Sequence, residues 1–417
     1  MKMENKKLFN FSFLFGVVGN VLEHYDKHLF IFLAPFLAPL FFKTSSSTLA
    51  LILTYNIVPL SFLARPIGAF FFGRIGDNFS RKKALSWSLI GMAITTVSIG
   101  CLPTDDQAKT LAPIILLGLQ MLQNFFSAGQ RAGGPIIILE NCQTSKRSLL
   151  SSLYDSSSIL GILAASLAVS LLSNMNLLDQ FWRALYWVGA LSALVGAKLR
   201  FFNFAETPQI KAKPKKTFSF QSISKYLHLL IPIALVSALS YTIFDQIFSF
   251  MVCFPIALSD LKACDLIKTN PWILTADLLL LPLFGLIATT RTKKTHMLFF
   301  IALICIFSLP LYQLAGKLTL FDINVTRFIL TFLGVGFSAP MHAWAVEITP
   351  QKNRYTLISM GYAIGGLIGK SLNPLGLWAL FQTKSVLAPA SLLLSISTLA
   401  GLSILLVKSK QTALKTA

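Results

Sequence analysis

The sequence predicts an all-α membrane protein of twelve transmembrane helices in two pseudo-symmetric six-helix bundles. Three observations carry this prediction. The composition is 54% hydrophobic and only 12% charged, with a mean hydropathy of +0.68, far from a soluble globular balance. Apolar runs close to the ~20 residues a helix needs to cross a bilayer recur along all 417 residues. Loop motifs of the first half return in the second at a nearly constant offset, the mark of a duplicated unit. Helices are the default for such spans, because lipid forces each backbone polar group to find its partner within the segment.

Twelve candidate spans cover roughly 10–40, 48–72, 84–102, 111–138, 149–173, 182–203, 228–257, 271–290, 296–314, 326–347, 355–381 and 386–407. No cleavable leader is evident after Lys2, Lys6 and Lys7, so the first span is read as retained. Span one holds Glu23-His24-Tyr25-Asp26-Lys27-His28 inside an otherwise apolar run. Each ionisable group at a helix centre costs roughly 2.5–3.5 kcal/mol, so the cluster calls for partners or a purpose. At 100° per residue, Gly16, Gly19, Asn20, Glu23, Asp26 and Lys27 fall within about 60° of one line, while His24, Tyr25 and His28 point elsewhere. Glu23 and Lys27 also form an i,i+4 pair.

Span four carries a longer polar stripe of Gln120, Gln123, Asn124, Ser127, Arg131 and Gly134. A stripe of this length faces water, a substrate or another helix, because lipid cannot satisfy it. Span five holds Asp155, read as a gate residue or ion-pair partner. Span seven aligns Ser237, Tyr241 and Asp245, and span eleven aligns Ser359, Gly366, Lys370 and Asn373. His24 and His28 lie off the polar face, which favours packed or interfacial rings over proton carriers. His342 on span ten is open between the same two readings.

The net charge of +20 does not point to nucleic acid, because of where the charge sits. Arg74, Arg81, Lys82 and Lys83 follow span two, Lys146 and Arg147 span four, and Lys211, Lys213, Lys215, Lys216 and Lys225 span six. Arg291, Lys293 and Lys294 follow span eight, Lys352 and Arg354 span ten, and Lys408, Lys410 and Lys415 span twelve. The opposite loops are poorer in cations and hold Asp105, Asp106, Asp179, Asp260, Asp265 and Asp322. The positive-inside rule then puts both termini in the cytoplasm. Five cysteines, Cys101, Cys142, Cys253, Cys264 and Cys305, have no metal or redox spacing and read as packing residues.

The repeat is specific. Gly73-x3-Asp77-x2-Ser80-Arg81-Lys82 after span two returns as Gly285-x3-Thr289-x2-Thr292-Lys293-Lys294 after span eight, 212 residues on, without the aspartate. Glu140-x6-Arg147 after span four returns as Glu347-x6-Arg354 after span ten, 207 residues on. The expected domains are therefore an N-terminal six-helix bundle, 1–204, a cytoplasmic linker, 205–226, and a C-terminal six-helix bundle, 227–417.

The first of these loops resembles the signature of the major facilitator superfamily, with Ser80 at its usual second glycine. Arg65-Pro66-x-Gly68 and Gly19-Asn20-x2-Glu23-His24-Tyr25-Asp26 resemble a narrower group, the metabolite:proton symporters, which take up proline/betaine, citrate, shikimate or 2-oxoglutarate. Trp182-Arg183, Glu206-Thr207-Pro208 and Arg354-Tyr355-Thr356 fit as well. Two positions depart from that pattern. His24 stands where Trp or Phe is usual, and Gln130 where a glutamate is common.

The resemblance implies a secondary transporter of a bacterial inner membrane working by alternating access, not an enzyme. It would take up a small carboxylate-bearing metabolite or a zwitterion with protons, and no cofactor, nucleic acid or obligate protein partner is expected. Glu23 and Asp26 are the expected proton-coupling residues. Asn20, Gln123, Asn124, Ser127, Arg131, Tyr241, Asp245, Lys370 and Asn373 are the expected substrate contacts, with Arg131 and Lys370 for a carboxylate. Asp77, Arg81, Glu140, Arg147, Asp155, Glu347 and Arg354 are expected conformational latch residues. The alternatives are an efflux antiporter for amphipathic compounds and a transport-dead sensor.

Overall fold

The computed structural model describes residues 11–42, 47–104, 111–191, 194–195, 198, 224–252, 254, 261, 265–266 and 268–407. Most of the expected linker, 205–223, lies outside the described residues. Among the described residues the regular structure is helical throughout.

The first half contains α1 (Phe11–Phe41), α2 (Ser47–Phe62), α3 (Arg65–Asn78), α4 (Arg81–Gly100), α5 (Leu111–Glu140), α6 (Arg147–Asn174) and α7 (Leu178–Val188). The second contains α8 (Leu227–Asp245), α9 (Asn270–Thr290), α10 (Lys293–Ala315), α11 (Leu320–Ser338), α12 (Met341–Ile348), α13 (Arg354–Thr383) and α14 (Leu387–Leu406). α2 with α3 fills span two and α11 with α12 fills span ten, so the fourteen helices among the described residues answer to twelve expected spans. Both breaks have a local cause. Pro66 sits in the first turn of α3 and Pro340 just before α12, and a proline supplies no N–H to carry a helix through.

Helix starts repeat as the loop motifs do. Ser80 caps α4 by accepting from the Lys83 N–H at 3.2 Å, and Thr292 caps α10 by accepting from the Thr295 N–H at 3.3 Å. Single 3-10 turns, Thr144–Lys146 and Gln351–Asn353, run straight into α6 at Arg147 and α13 at Arg354.

The chain forms two compact units. One is Met1–Cys142 with Ser157–Phe218, and the other is Gln143–Ser156 with Ser219–Ala417. The first turns of α6 therefore belong to the second unit. In the first unit α5 is the central element, touching α1, α2, α3 and α4. Gly68 makes the α3–α5 approach possible, because a Cβ there would stand 2.1 Å from the Phe125 carbonyl oxygen. In the second unit α8 lies along α13. Gly365 sets that spacing, since its Cβ would stand 2.3 Å from the Ala234 carbonyl oxygen. Large apolar side chains such as Ile67, Ile114, Trp272, Leu279, Trp378 and Leu406 point outward, as a lipid-facing surface requires.

Candidate functional site

In the first unit the polar groups of α1, α4, α5 and α6 meet in a buried network. Asn20 is fully buried, and its Nδ2 donates to Ser157 Oγ and Ser158 Oγ on α6, each at 2.8 Å. Glu23, also fully buried, forms its ion pair with Lys27 one turn on. Asp26 has no exposed surface, and its Oδ2 accepts from Thr96 Oγ1 on α4 at 3.1 Å. Thr96 Oγ1 in turn accepts from Gln123 Nε2 on α5 at 2.9 Å. The chain Gln123–Thr96–Asp26 thus joins three helices through side chains alone. Among the described residues, Glu23 Oε2 and Asp26 Oδ1 are buried without a hydrogen-bond partner.

The stripe on α5 divides among several neighbours. Asn124 Oδ1 accepts from Arg65 Nε at 3.0 Å, and Ser127 Oγ accepts from Arg65 Nη2 at 3.4 Å. Asn124 Nδ2 donates to Ser61 Oγ at 2.9 Å. Arg65, 3% exposed, also lies over the Phe62 ring, with its guanidinium carbon 4.0 Å from the centroid. Arg131 Nη1 lies 3.1 Å from His24 Nε2. His24 is therefore part of the interior network, contrary to its place on the helical wheel. Its Nδ1 is held at 3.0 Å by the Asn20 carbonyl oxygen, which swings Nε2 sideways toward α5. Gln130, at the position where the resembled group often has a glutamate, is fully buried, and among the described residues neither amide atom finds a partner.

In the second unit, Asp245 at the end of α8 pairs with Lys370 on α13. The Lys370 ammonium lies 6.0 Å from the centroid of the Tyr241 ring. Asn373, one turn beyond Lys370, is 7% exposed, and among the described residues its amide has no partner. One residue past Asp245 the helix widens into a π-turn, Gln246–Phe250, a distortion that often accompanies functional sites. Two groups hold this turn. Tyr312 donates to Gln246, and Arg327 Nε donates to the Ile247 carbonyl at 2.9 Å. Arg327 is completely buried, and its other donors reach Leu266 O at 3.1 Å, Thr269 Oγ1 at 2.8 Å, Asn324 Oδ1 at 3.1 Å and Asn270 Oδ1. Sequence reasoning passed over it. The available signal was an arginine inside the apolar run of span ten.

Two expected latch residues, Arg81 and Glu140, pair with one another, and in the second half the expected Glu347 pairs with Lys293, which was not expected. Arg81 Nε meets Glu140 Oε2 at 2.9 Å in the first unit, and Lys293 Nζ meets Glu347 Oε1 at 2.8 Å in the second. Each pair ties the start of one helix to the end of another, α4 to α5 and α10 to α12. Arg81 and Lys293 are equivalent in the repeat, as are Glu140 and Glu347. Asp77 is half-buried near the end of α3, and Arg147 is half-buried at the start of α6. Arg354 Nη2 donates to the Thr349 carbonyl at 3.0 Å. Asp155 Oδ1 is bound by His342 Nε2 at 2.9 Å.

The described residues thus form a helical membrane chain with buried ion pairs and a loop ion pair repeated in each half. The family model of the Major Facilitator Superfamily matches residues 11–374, and the chain belongs to that family. It is 27% identical over 398 residues to a putative proline/betaine transporter of Staphylococcus aureus, covering 92% of this chain and 84% of that one. It is 25% identical over 399 residues to the proline/betaine transporter of Escherichia coli, covering 91% and 79%. Among solved structures it resembles a double-tryptophan mutant of XylE, with TM-score 0.74, 13% identity and 95% of each chain covered. It also resembles FucP in the outward conformation, with TM-score 0.70, 11% identity and coverage of 97% of this chain and 100% of that one. The protein is a secondary transporter with the twelve-helix major facilitator fold.

Proposed function

We propose that the protein carries a small zwitterion or carboxylate-bearing metabolite of the proline/betaine kind into the cell together with protons. The observation that carries this reading is the buried pair of carboxylates on α1. Glu23 is tied to a lysine on its own helix and Asp26 to a threonine–glutamine chain. A proton arriving at Glu23 releases Lys27 for a substrate carboxylate, which links proton binding to substrate binding. The names of the bacterial relatives support the substrate class. The basic loops support a cytoplasmic membrane location with both termini inside. Within the first unit Arg131 is the proposed polar contact for a substrate, and within the second unit Lys370, Tyr241 and Asn373 are.

The test is uptake by the purified protein in proteoliposomes, using amino acids, betaines and di- or tricarboxylates at two pH values. An imposed inward proton gradient drives accumulation of one class. Glu23→Gln abolishes that accumulation while exchange of labelled for unlabelled substrate continues. Accumulation that survives in the variant removes Glu23 as the coupling residue, and flux indifferent to the gradient removes proton coupling altogether.

A further inference from the structure

A second group of titratable side chains stands apart from the α1 carboxylates, entirely within the second unit. His342 is 1% exposed at the start of α12. Its Nε2 lies 2.9 Å from Asp155 Oδ1 on α6, and its Nδ1 lies 2.6 Å from the Tyr362 hydroxyl on α13. The Tyr154 ring meets the imidazole edge-on at 5.5 Å between centroids. Beyond Asp155, on α9, Asp277 is buried at 8% exposure and in electrostatic contact with Asp155. Asp155 Oδ2 is buried with no hydrogen-bond partner among the described residues.

His342 is the second residue of α12, two positions after Pro340, and its ring nitrogens reach Asp155 on α6 and Tyr362 on α13. Other charges near α12 are engaged elsewhere. On α10 and α12, Lys293 and Glu347 bind each other, and His296 Nε2 is held by the Gly336 carbonyl at 3.0 Å. On α8 and α13, Asp245 and Lys370 bind each other. Among the described residues, the groups shown to face His342 are thus Asp155, Tyr362 and Tyr154, with Asp277 behind.

We propose that Asp155, His342, Tyr362 and Asp277 form a second proton-binding site, separate from Glu23 and Asp26, whose occupancy sets how firmly the first turns of α6 are held. Hydrogen-bond capacity explains how it works. A neutral imidazole has one donor and one acceptor. It then donates from Nε2 to Asp155 and accepts the Tyr362 O–H at Nδ1. One added proton makes both nitrogens donors. The Tyr362 hydroxyl must turn to accept, and the Asp155 contact becomes an ion pair. The first turns of α6 are further seated by Ser148 Oγ donating to Ala288 O at 3.3 Å and by Gly285 beneath Ser152. The charge state at Asp155 therefore acts on a segment already packed against α9. This role rests on the proton-coupled reading above.

The test titrates the full-length protein in lipid by infrared spectroscopy, following the carboxylic-acid band, alongside gradient-driven uptake. Asp277→Asn is expected to remove part of the titrating band. His342→Gln and the hydroxyl-only change Tyr362→Phe are expected to move its midpoint by about one pH unit and to shift the pH profile of exchange with it. Spectra of all three variants that superimpose on the parent at every pH overturn the inference, even where uptake still follows the gradient. A band that titrates as expected, in a protein whose uptake ignores the gradient, supports the site and overturns the proton-coupled reading instead.

Discussion

The two loop ion pairs, Arg81–Glu140 and Lys293–Glu347, are equivalent in the repeat but not in environment, and this makes a quantitative prediction. Arg81 and Glu140 are 6% and 3% exposed, while Lys293 and Glu347 are 14% and 32% exposed. Removing one partner of a buried pair costs about 3–5 kcal/mol, because a desolvated charge loses its counter-ion. A pair open to solvent gives about 0–1 kcal/mol. Lys293–Glu347 sits between these limits and nearer the second. Glu140→Gln is therefore expected to destabilise the protein by roughly 2–4 kcal/mol more than Glu347→Gln. At about 2–4 °C per kcal/mol for a unit of this size, the gap corresponds to roughly 4–16 °C in Tm. Thermal unfolding of the purified variants in one detergent measures it. Reversing both charges, Arg81→Glu with Glu140→Arg, should recover part of what either reversal alone loses. An equal or larger loss for Glu347→Gln would refute the reasoning from burial, and absence of recovery would refute the pairing itself.

Two further outcomes are expected. Gly365→Ala brings a methyl to 2.3 Å from the Ala234 oxygen and 2.6 Å from Ser237 Cβ, whereas Gly118→Ala meets nothing within 4 Å. The first should cost about 1–3 kcal/mol by overpacking α8 against α13, and the second should be neutral or stabilising by about 0.5–1 kcal/mol; the same unfolding assay reverses the argument if their order is inverted. Gln130→Met replaces a fully buried amide without a partner among the described residues by an apolar chain of similar length. Leaving such a group unpaired costs about 1–3 kcal/mol, so Tm should hold or rise, and a marked fall would mean the amide is satisfied in the protein.

Most of the fold was legible because lipid permits few solutions. Apolar runs gave the helices and the loop motifs gave the repeat, but the breaks in spans two and ten were not read in advance, because prolines also sit inside unbroken helices such as α1, α5 and α13. The site was legible only as far as one helix can be read alone. Glu23 and Lys27 are neighbours on α1, and their pairing follows from spacing. The stripe on α5 was recognisable as a stripe, but azimuth does not identify a partner. Gln123 goes to Thr96, Asn124 and Ser127 to Arg65, and Arg131 to His24. Those partners come from α4, α3 and α1, and only packing decides which helix stands opposite. His24 shows a second limit. A wheel treats each side chain as a point on the axis of its Cα, whereas an imidazole fixed at Nδ1 by its own helix reaches sideways with Nε2.

The erosion of the repeat makes physical sense when the two halves are set side by side. Asp77 is half-buried at the end of α3, while Thr289, its counterpart 212 residues on, is exposed and spends its hydroxyl on the Leu286 carbonyl of its own helix. The second half has lost a carboxylate at a place where solvent would have weakened its interactions. It has kept Glu347, whose partner Lys293 is 14% exposed. Arginine in the first half and lysine in the second follow the same gradient. A planar guanidinium keeps directed donors where water is scarce, and an ammonium suffices where water can complete its shell. The Arg81–Glu140 pair should therefore be held more rigidly than Lys293–Glu347.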